Sequence, residues 1–191
     1  MDRRIYRLVN GITLYRLISA PILILLIIFH QLDWFKWLLP VSFLTDAVDG
    51  WLARKYHVTS ILGSRLDSIA DDLTIVAAII GAIVFKPQFL KEEFIWVIIL
   101  LSLYIIQLSL AIYRYGKISS FHTYGAKVAA VLQGIFLVLL FLLPEPQHVL
   151  FYLAAIATIA ELIEEVILTL YLPKWQTDVK GLYWVMKRRQ K

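Results

Sequence analysis

Five aspartates crowd into residues 45–72: Asp46 and Asp49, then Asp67, Asp71 and Asp72. On a helix, Asp46, Asp49, Gly50 and Ala53 recur at i, i+3, i+4 and i+7 and share one face. Asp67 and Asp71 stand at i and i+4 of the next helix, again on one face. Asp72 is turned about 100° from Asp71 and reads as a spare, facing water or a subunit contact. Two antiparallel helices built this way aim four carboxylates at one cavity near the cytoplasmic side. Four oxygen donors suit hard cations such as Mg²⁺, Mn²⁺ or Ca²⁺. So many carboxylates also suit a pair of metals, the arrangement used for phosphoryl displacement. Gly50 and Gly63 leave the backbone open to a phosphate or nucleobase, and Arg54, one turn beyond Gly50, is placed to meet phosphates.

The elements that must position these groups are set by a strongly apolar chain. Of 191 residues, 60% are hydrophobic and 17% charged, with a mean hydropathy of +0.74. An average soluble domain is ~45–50% apolar and ~25% charged. The apolar surface therefore exceeds what one core of this size hides, and a disordered chain needs the opposite bias. The lack of cysteine excludes a disulfide framework, a thiolate zinc site and a cysteine nucleophile. A spanning helix needs ~20 mostly apolar residues, and six runs qualify: 12–30, 34–54, 67–85, 94–113, 123–143 and 149–171. The second and third carry carboxylates, which a span tolerates when they face a protein interior or a wet cavity. The expected fold is all-α: an integral membrane bundle of six transmembrane helices forming one domain over 1–191. Residues 1–10, with Arg3, Arg4 and Arg7 among Ile5, Tyr6, Leu8 and Val9, are expected as a short amphipathic helix on the membrane surface. The first apolar run is too long for a cleaved signal sequence. Residues 173–191 are expected as a basic cytoplasmic tail.

Charge placement gives the orientation. With both termini inside, sixteen basic residues fall at cytoplasmic ends and loops, against only Lys36, Lys86 and Lys91 outside. That bias satisfies the positive-inside rule and requires an even number of spans. The net charge of +5 is then explained by topology and by attraction to anionic lipid, without nucleic acid.

Asp46, Asp49, Gly50, Ala53, Arg54, Gly63, Asp67 and Asp71 together read D-x2-D-G-x2-A-R-x8-G-x3-D-x3-D. This resembles the signature of the CDP-alcohol phosphotransferase (phosphatidyltransferase) family, with every position met. The resemblance fits the whole chain and implies a six-helix membrane enzyme, usually a homodimer. It implies that a CDP-linked donor, commonly CDP-diacylglycerol, gives its phosphatidyl group to an alcohol and releases CMP. It further implies that Asp46, Asp49, Asp67 and Asp71 hold two divalent cations, Mg²⁺ or Mn²⁺. By the same resemblance Asp71 is the general base, and Gly50, Ala53, Arg54, Gly63 and Asp67 line the CDP site. Asn10, Thr13 and Arg16 resemble the family's first-helix pattern, with Val9 where a proline is usual. Asn10 and Thr13 are candidate nucleotide contacts, whereas Arg16 reads as an internal cation balancing carboxylates. Compactness and basic residues on the acceptor side favour glycerol 3-phosphate as the alcohol, with the active site on the cytoplasmic side of the cell membrane.

Outside the signature, Arg65 has two readings, a loop charge or a ligand for an acceptor phosphate. Arg114, Lys117 and Lys127 are candidates for a basic acceptor pocket. Glu161, Glu164 and Glu165 stand at i, i+3 and i+4 on the last span. They either pair with those basic residues or shape the acceptor pocket. His122 reads as a cap or interface residue. Trp34, Trp37, Trp96, Trp175 and Trp184 read as interfacial anchors, and Ala77, Ala78, Gly81 and Ala82 as a close-packing or dimer face. Two other functions have Asp-rich, membrane-embedded sites: a prenyltransferase and a cation transporter. The first is expected to carry more spans and a second Asp-rich loop, and the second an inverted-repeat signal. Neither accounts for Gly50, Arg54 and Gly63 at their spacings.

Overall fold

The computed structural model describes residues 3–56, 61–117, 121, 123–176 and 179–189, without the side chains of 3–10, 13, 46, 47, 49–54, 61–68, 72, 188 and 189. Among the described residues every regular element is helical: α1 (Arg3–Ile28), α2 (Leu32–Tyr56), α3 (Ile61–Phe85), α4 (Pro87–Glu92), α5 (Phe94–Tyr115), α6 (Tyr124–Leu142), α7 (His148–Tyr171) and α8 (Leu182–Arg189). The six long helices coincide with the six apolar runs of the sequence. Two of them, α5 and α6, are long and apolar enough to cross a membrane by length and composition. At 1.5 Å per residue, the 22 residues of α5 reach about 33 Å, close to the hydrocarbon thickness of a bilayer.

Three details differ from expectation. Residues 3–10 are not a separate surface helix: they run without a break into the first span as one 26-residue α1. The Asn10-Gly11 pair is an ordinary turn signal, yet the helix continues through both residues. The polar link after α3 folds into α4, begun by Pro87 at a first-turn position where its missing N–H costs nothing. The basic tail contains α8.

The chain divides into two units, Met1–Leu90 with Leu140–Pro144, and Lys91–Leu139 with Glu145–Lys191. In the first, α1 packs along both α2 and α3. The turn from α1 to α2 is a Schellman cap: Gln31 N–H reaches Leu26 O (2.8 Å) and His30 N–H reaches Ile27 O (3.0 Å). His30 takes the left-handed position (φ 53°) that glycine usually fills. Small residues bring α3 close to its neighbours. Ala77, Ala78 and Ala82 are buried, and a Cβ on Gly81 would lie 2.6 Å from Phe35 Cζ and 3.4 Å from Phe141 Cζ. Phe35 and Phe141 meet edge to face at 4.9 Å. The small residues therefore serve packing inside this unit. At its end, Lys86 Nζ donates to Leu143 O (3.2 Å) and Pro144 O (3.1 Å), and burial pulls its ammonium below the usual lysine pKa.

In the second unit, α5 and α7 pair. Gly116, in the left-handed conformation (φ 65°), caps α5 by donating to Ile112 O. Thr123 starts α6 by accepting Ala126 N–H (3.1 Å). Leu172 ends α7 in an extended conformation, as the residue before Pro173 must. The polarity of α5 is inverted relative to a soluble helix. Its buried residues are Gln107 and Ala111, while Ile95, Ile98, Leu101, Ile105 and Ile106 are exposed. Arg16, Ser19, Ser42, Thr74, Glu165 and Thr169 are likewise buried elsewhere. Polar groups inside and apolar groups outside is the arrangement a lipid solvent demands.

Candidate active site

The signature residues fall on two packed helices of the first unit. Asp46, Asp49, Gly50, Ala53 and Arg54 lie in the second half of α2, and Gly63, Arg65, Asp67 and Asp71 in the first half of α3. Their backbone positions follow unbroken helical periods, so the i, i+3, i+4, i+7 register and the i, i+4 register both hold. Apart from Asp71, the side chains of these residues lie outside the described ones, as do those of Asn10 and Thr13 on α1 and all of His122.

The Asp71 carboxylate receives the guanidinium of Arg16 from α1. Arg16 is 1% exposed and Asp71 37%, so a buried cation holds a carboxylate that stays open on its far side. The reading of Arg16 as an internal counter-charge is what the structure shows. The ion pair links the first and third helices and offsets charge that is costly away from water.

A polar seam continues from Arg16 between α1 and α2. Ser19 Oγ donates to Arg16 O (3.0 Å) and lies 3.1 Å from Ser42 Oγ. Ser42 Oγ also reaches Leu38 O (3.0 Å), and Thr45 Oγ1 lies within reach of Val41 O (2.8 Å) and Ser42 O (2.9 Å). On α3, Thr74 Oγ1 donates to Ala70 O (2.8 Å). Sequence reading passed over these hydroxyls. The available signal was their period: Ser42 stands four residues before Asp46 and seven before Asp49, on the same helical stripe.

Four carboxylates on two packed helices make an all-oxygen donor set, and the one described in full, Asp71, is anchored from behind while remaining accessible. That set fits hard divalent cations. Among the described residues no group of three His, Asp or Glu is assembled for a metal; three of the four signature aspartates are not among the described side chains.

The second unit holds the other candidates. Arg114 Nε donates to Leu172 O (3.4 Å). Lys117 Nζ lies 4.9 Å from the Trp175 ring centre and Lys127 Nζ 5.4 Å from that of Tyr124. Glu164 accepts Leu182 N–H (2.8 Å). Its two oxygens approach Gly125 and Gly181 so closely that a Cβ would stand 3.1 and 3.0 Å away. Glu165, 8% exposed, accepts the Gln107 amide at 2.5 Å. Two of the three glutamates thus bind an amide of the helix frame, a role the sequence reading did not contain. At the other end of the unit, buried Glu93 accepts Tyr152 O–H (2.8 Å) and pairs with His148 Nδ1 (2.7 Å).

Comparison with known proteins adds to this geometry. The model of the CDP-alcohol phosphatidyltransferase family matches residues 6–160. A probable phosphatidylglycerophosphate synthase of Mycobacterium tuberculosis is 29% identical over 194 aligned residues, covering 94% of this chain and 86% of that protein. A CDP-diacylglycerol–glycerol-3-phosphate 3-phosphatidyltransferase of Cereibacter sphaeroides is 37% identical over 75 residues, covering 37% of this chain and 34% of that protein. A phosphatidylcholine synthase of Legionella pneumophila is 36% identical over 70 residues, covering 35% and 28%. No solved structure matches.

Proposed function

The chain belongs to the CDP-alcohol phosphatidyltransferase family, and from that membership we propose that it moves the phosphatidyl group of CDP-diacylglycerol to glycerol 3-phosphate and releases CMP. It is a transferase of phospholipid synthesis. The choice of glycerol 3-phosphate is supported by the names of two relatives. The observation that carries the mechanism is the Arg16–Asp71 pair at the signature helices.

In the proposed reaction the acceptor hydroxyl oxygen attacks the phosphorus that carries the diacylglycerol. The new P–O ester forms as the anhydride bond to the CMP oxygen breaks, and the hydroxyl proton passes to Asp71. Arg16 keeps the Asp71 carboxylate at one position, so the base is already oriented when the acceptor arrives. Gly50 and Gly63 let the donor approach the backbone, and Arg54 meets its diphosphate. Asn10 and Thr13 contact the nucleotide. Asp46, Asp49, Asp67 and Asp71 would hold two divalent cations, Mg²⁺ or Mn²⁺, which when bound supply charge stabilisation at the diphosphate. The basic residues proposed to receive the acceptor phosphate are Arg65 of the first unit or Arg114, Lys117 and Lys127 of the second.

The same proposal places all six long helices across the cell membrane, with both termini and the signature aspartates on the cytoplasmic side. The sixteen-to-three distribution of basic residues supports that orientation. It also takes the enzyme as a homodimer, which rests on the family resemblance.

The test is CMP release by purified protein supplied with CDP-diacylglycerol and Mg²⁺ or Mn²⁺. Glycerol 3-phosphate, serine, inositol and inositol phosphate are added one at a time, with Asp71→Asn as control. Release that needs glycerol 3-phosphate and is lost in the variant supports the proposal. Release with another alcohol alone overturns the acceptor, and equal release by variant and wild type overturns the role of Asp71.

A further inference from the structure

The net charge of the whole chain resides in its last nineteen residues. Residues 173–191 contain Lys174, Lys180, Lys187, Arg188, Arg189 and Lys191 against one acid, Asp178, whereas residues 1–172 carry thirteen basic and thirteen acidic side chains. This segment includes α8, which docks on the second unit through Leu182 and Val185. Leu182 and Val185, one turn apart, pack on a buried cluster of Phe121, Leu168, Leu172 and Val179. That cluster gathers residues from just beyond α5, the C-terminal part of α7 and the tail, so α8 is fastened to helix ends. Two backbone bonds secure it further: Leu182 N–H to the Glu164 carboxylate (2.8 Å) and Tyr124 N–H to Lys180 O (3.3 Å).

The other side of α8 is apolar and aromatic where a water-facing helix would be polar. Tyr183 is 64% exposed, Met186 46% and Trp184 41%. Trp184 meets Tyr124 at a tilt (5.3 Å) and Tyr183 edge to face (5.5 Å), and Lys187 Nζ sits 5.8 Å from the Tyr183 ring centre. Trp175 takes Lys117 in the same way. Interleaved aromatic rings and ammonium groups at the ends of apolar helices match the chemistry of the headgroup layer, where rings lie among carbonyls and cations meet phosphates.

We infer that α8 and its flanking lysines form a collar that lies in the headgroup layer and binds anionic phospholipid of the bilayer surface. The apolar side chains enter the acyl boundary, and the basic residues concentrate anionic headgroups, including those of the lipid donor, around the end of the second unit. The inference rests on the membrane placement proposed above but not on the alcohol acceptor or on Asp71.

The lack of native cysteine makes the test direct. Met186→Cys and Tyr183→Cys, each carrying a nitroxide, are reconstituted in vesicles of phosphatidylcholine alone or with phosphatidylglycerol. Collision rates with oxygen and with a water-soluble nickel chelate are then read. Ile105→Cys on α5 reports bilayer placement. On adding phosphatidylglycerol, nickel accessibility at 183 and 186 should fall by about two- to threefold. The fall should disappear in the triple variant K187Q/R188Q/R189Q and weaken in high salt. Labels at 183 and 186 that stay equally open to nickel in both vesicles, with the 105 label in lipid, overturn the collar and leave the membrane placement standing. A 105 label in water overturns the placement itself. Should a cysteine variant fold poorly, quenching of tryptophan emission by brominated phosphatidylglycerol reads the same contact. Trp184→Phe should remove part of that quenching, and an unchanged signal overturns the collar.

Discussion

The guanidinium of Arg16 on α1 closes on the carboxylate of Asp71 on α3, and it does so from a position 1% exposed. The base proposed for the reaction is thus held by a helix that contributes none of the family's signature aspartates. Replacing Asp71 with Asn should lower acceptor-dependent CMP release by about 10²–10⁴-fold, the range for loss of a positioned base. Arg16→Gln should lower it by roughly tenfold or more and cost about 1–3 kcal/mol of stability, with Arg16→Lys recovering part of both. In the double variant the losses should be far from additive, because both substitutions break one pair. Additive losses in CMP release would separate Arg16 from the chemistry.

Removal of divalent cations by chelation should abolish CMP release, and Mg²⁺ or Mn²⁺ should restore it. Asp46→Asn, Asp49→Asn and Asp67→Asn should each raise the metal concentration needed for half-maximal rate, since each removes one oxygen donor of the proposed set. Titration of activity with metal measures this. An unchanged half-saturation would remove that residue from the metal set.

Gly81→Ala should destabilise the first unit by about 1–3 kcal/mol, the usual cost of overpacking. The added methyl meets Phe35 Cζ at 2.6 Å. Thermal unfolding in detergent should show the loss, and Phe35→Leu in the same chain should return part of it. A neutral Gly81→Ala would mean that α3 and Phe35 separate freely.

His30 and Gly116 occupy the same left-handed capping role at the ends of α1 and α5 (φ 53° and 65°). An L side chain there costs about 1–2 kcal/mol relative to a relaxed backbone. His30→Gly should therefore stabilise the protein by up to about that amount, less the edge contact of its ring with Phe85 at 6.5 Å. Gly116→Ala should destabilise it. Melting temperatures of the two variants should move in opposite directions.

The helices were legible because apolar length is a local property: residues 94–113 or 149–171 declare themselves without reference to anything else. Arg16 was legible as a counter-charge because an arginine inside an apolar run must answer a carboxylate. Which carboxylate it answers depends on α1 crossing α3, a fact 55 residues of sequence separate. The partners of Glu164 and Glu165 on α7 were out of reach for the same reason. Their register suggested basic partners or an acceptor pocket, yet Glu165 takes Gln107, 58 positions away, and Glu164 takes a backbone N–H of α8. Local pattern reported that these groups needed partners, and only packing chose them. The continuity of α1 through residues 3–10 escaped because surface amphipathicity and helix propagation favour the same residues.

The Gln107–Glu165 bond also bears on how such a chain assembles. Helices α5 and α7 each bring a polar side chain into an apolar stretch. In the membrane placement proposed above, either helix alone would leave its polar group to hydrocarbon, and the bond relieves both when the helices meet. The bond therefore makes pairing of α5 with α7 more favourable than either helix by itself, and ties the assembly of the second unit to the finding of one particular mate.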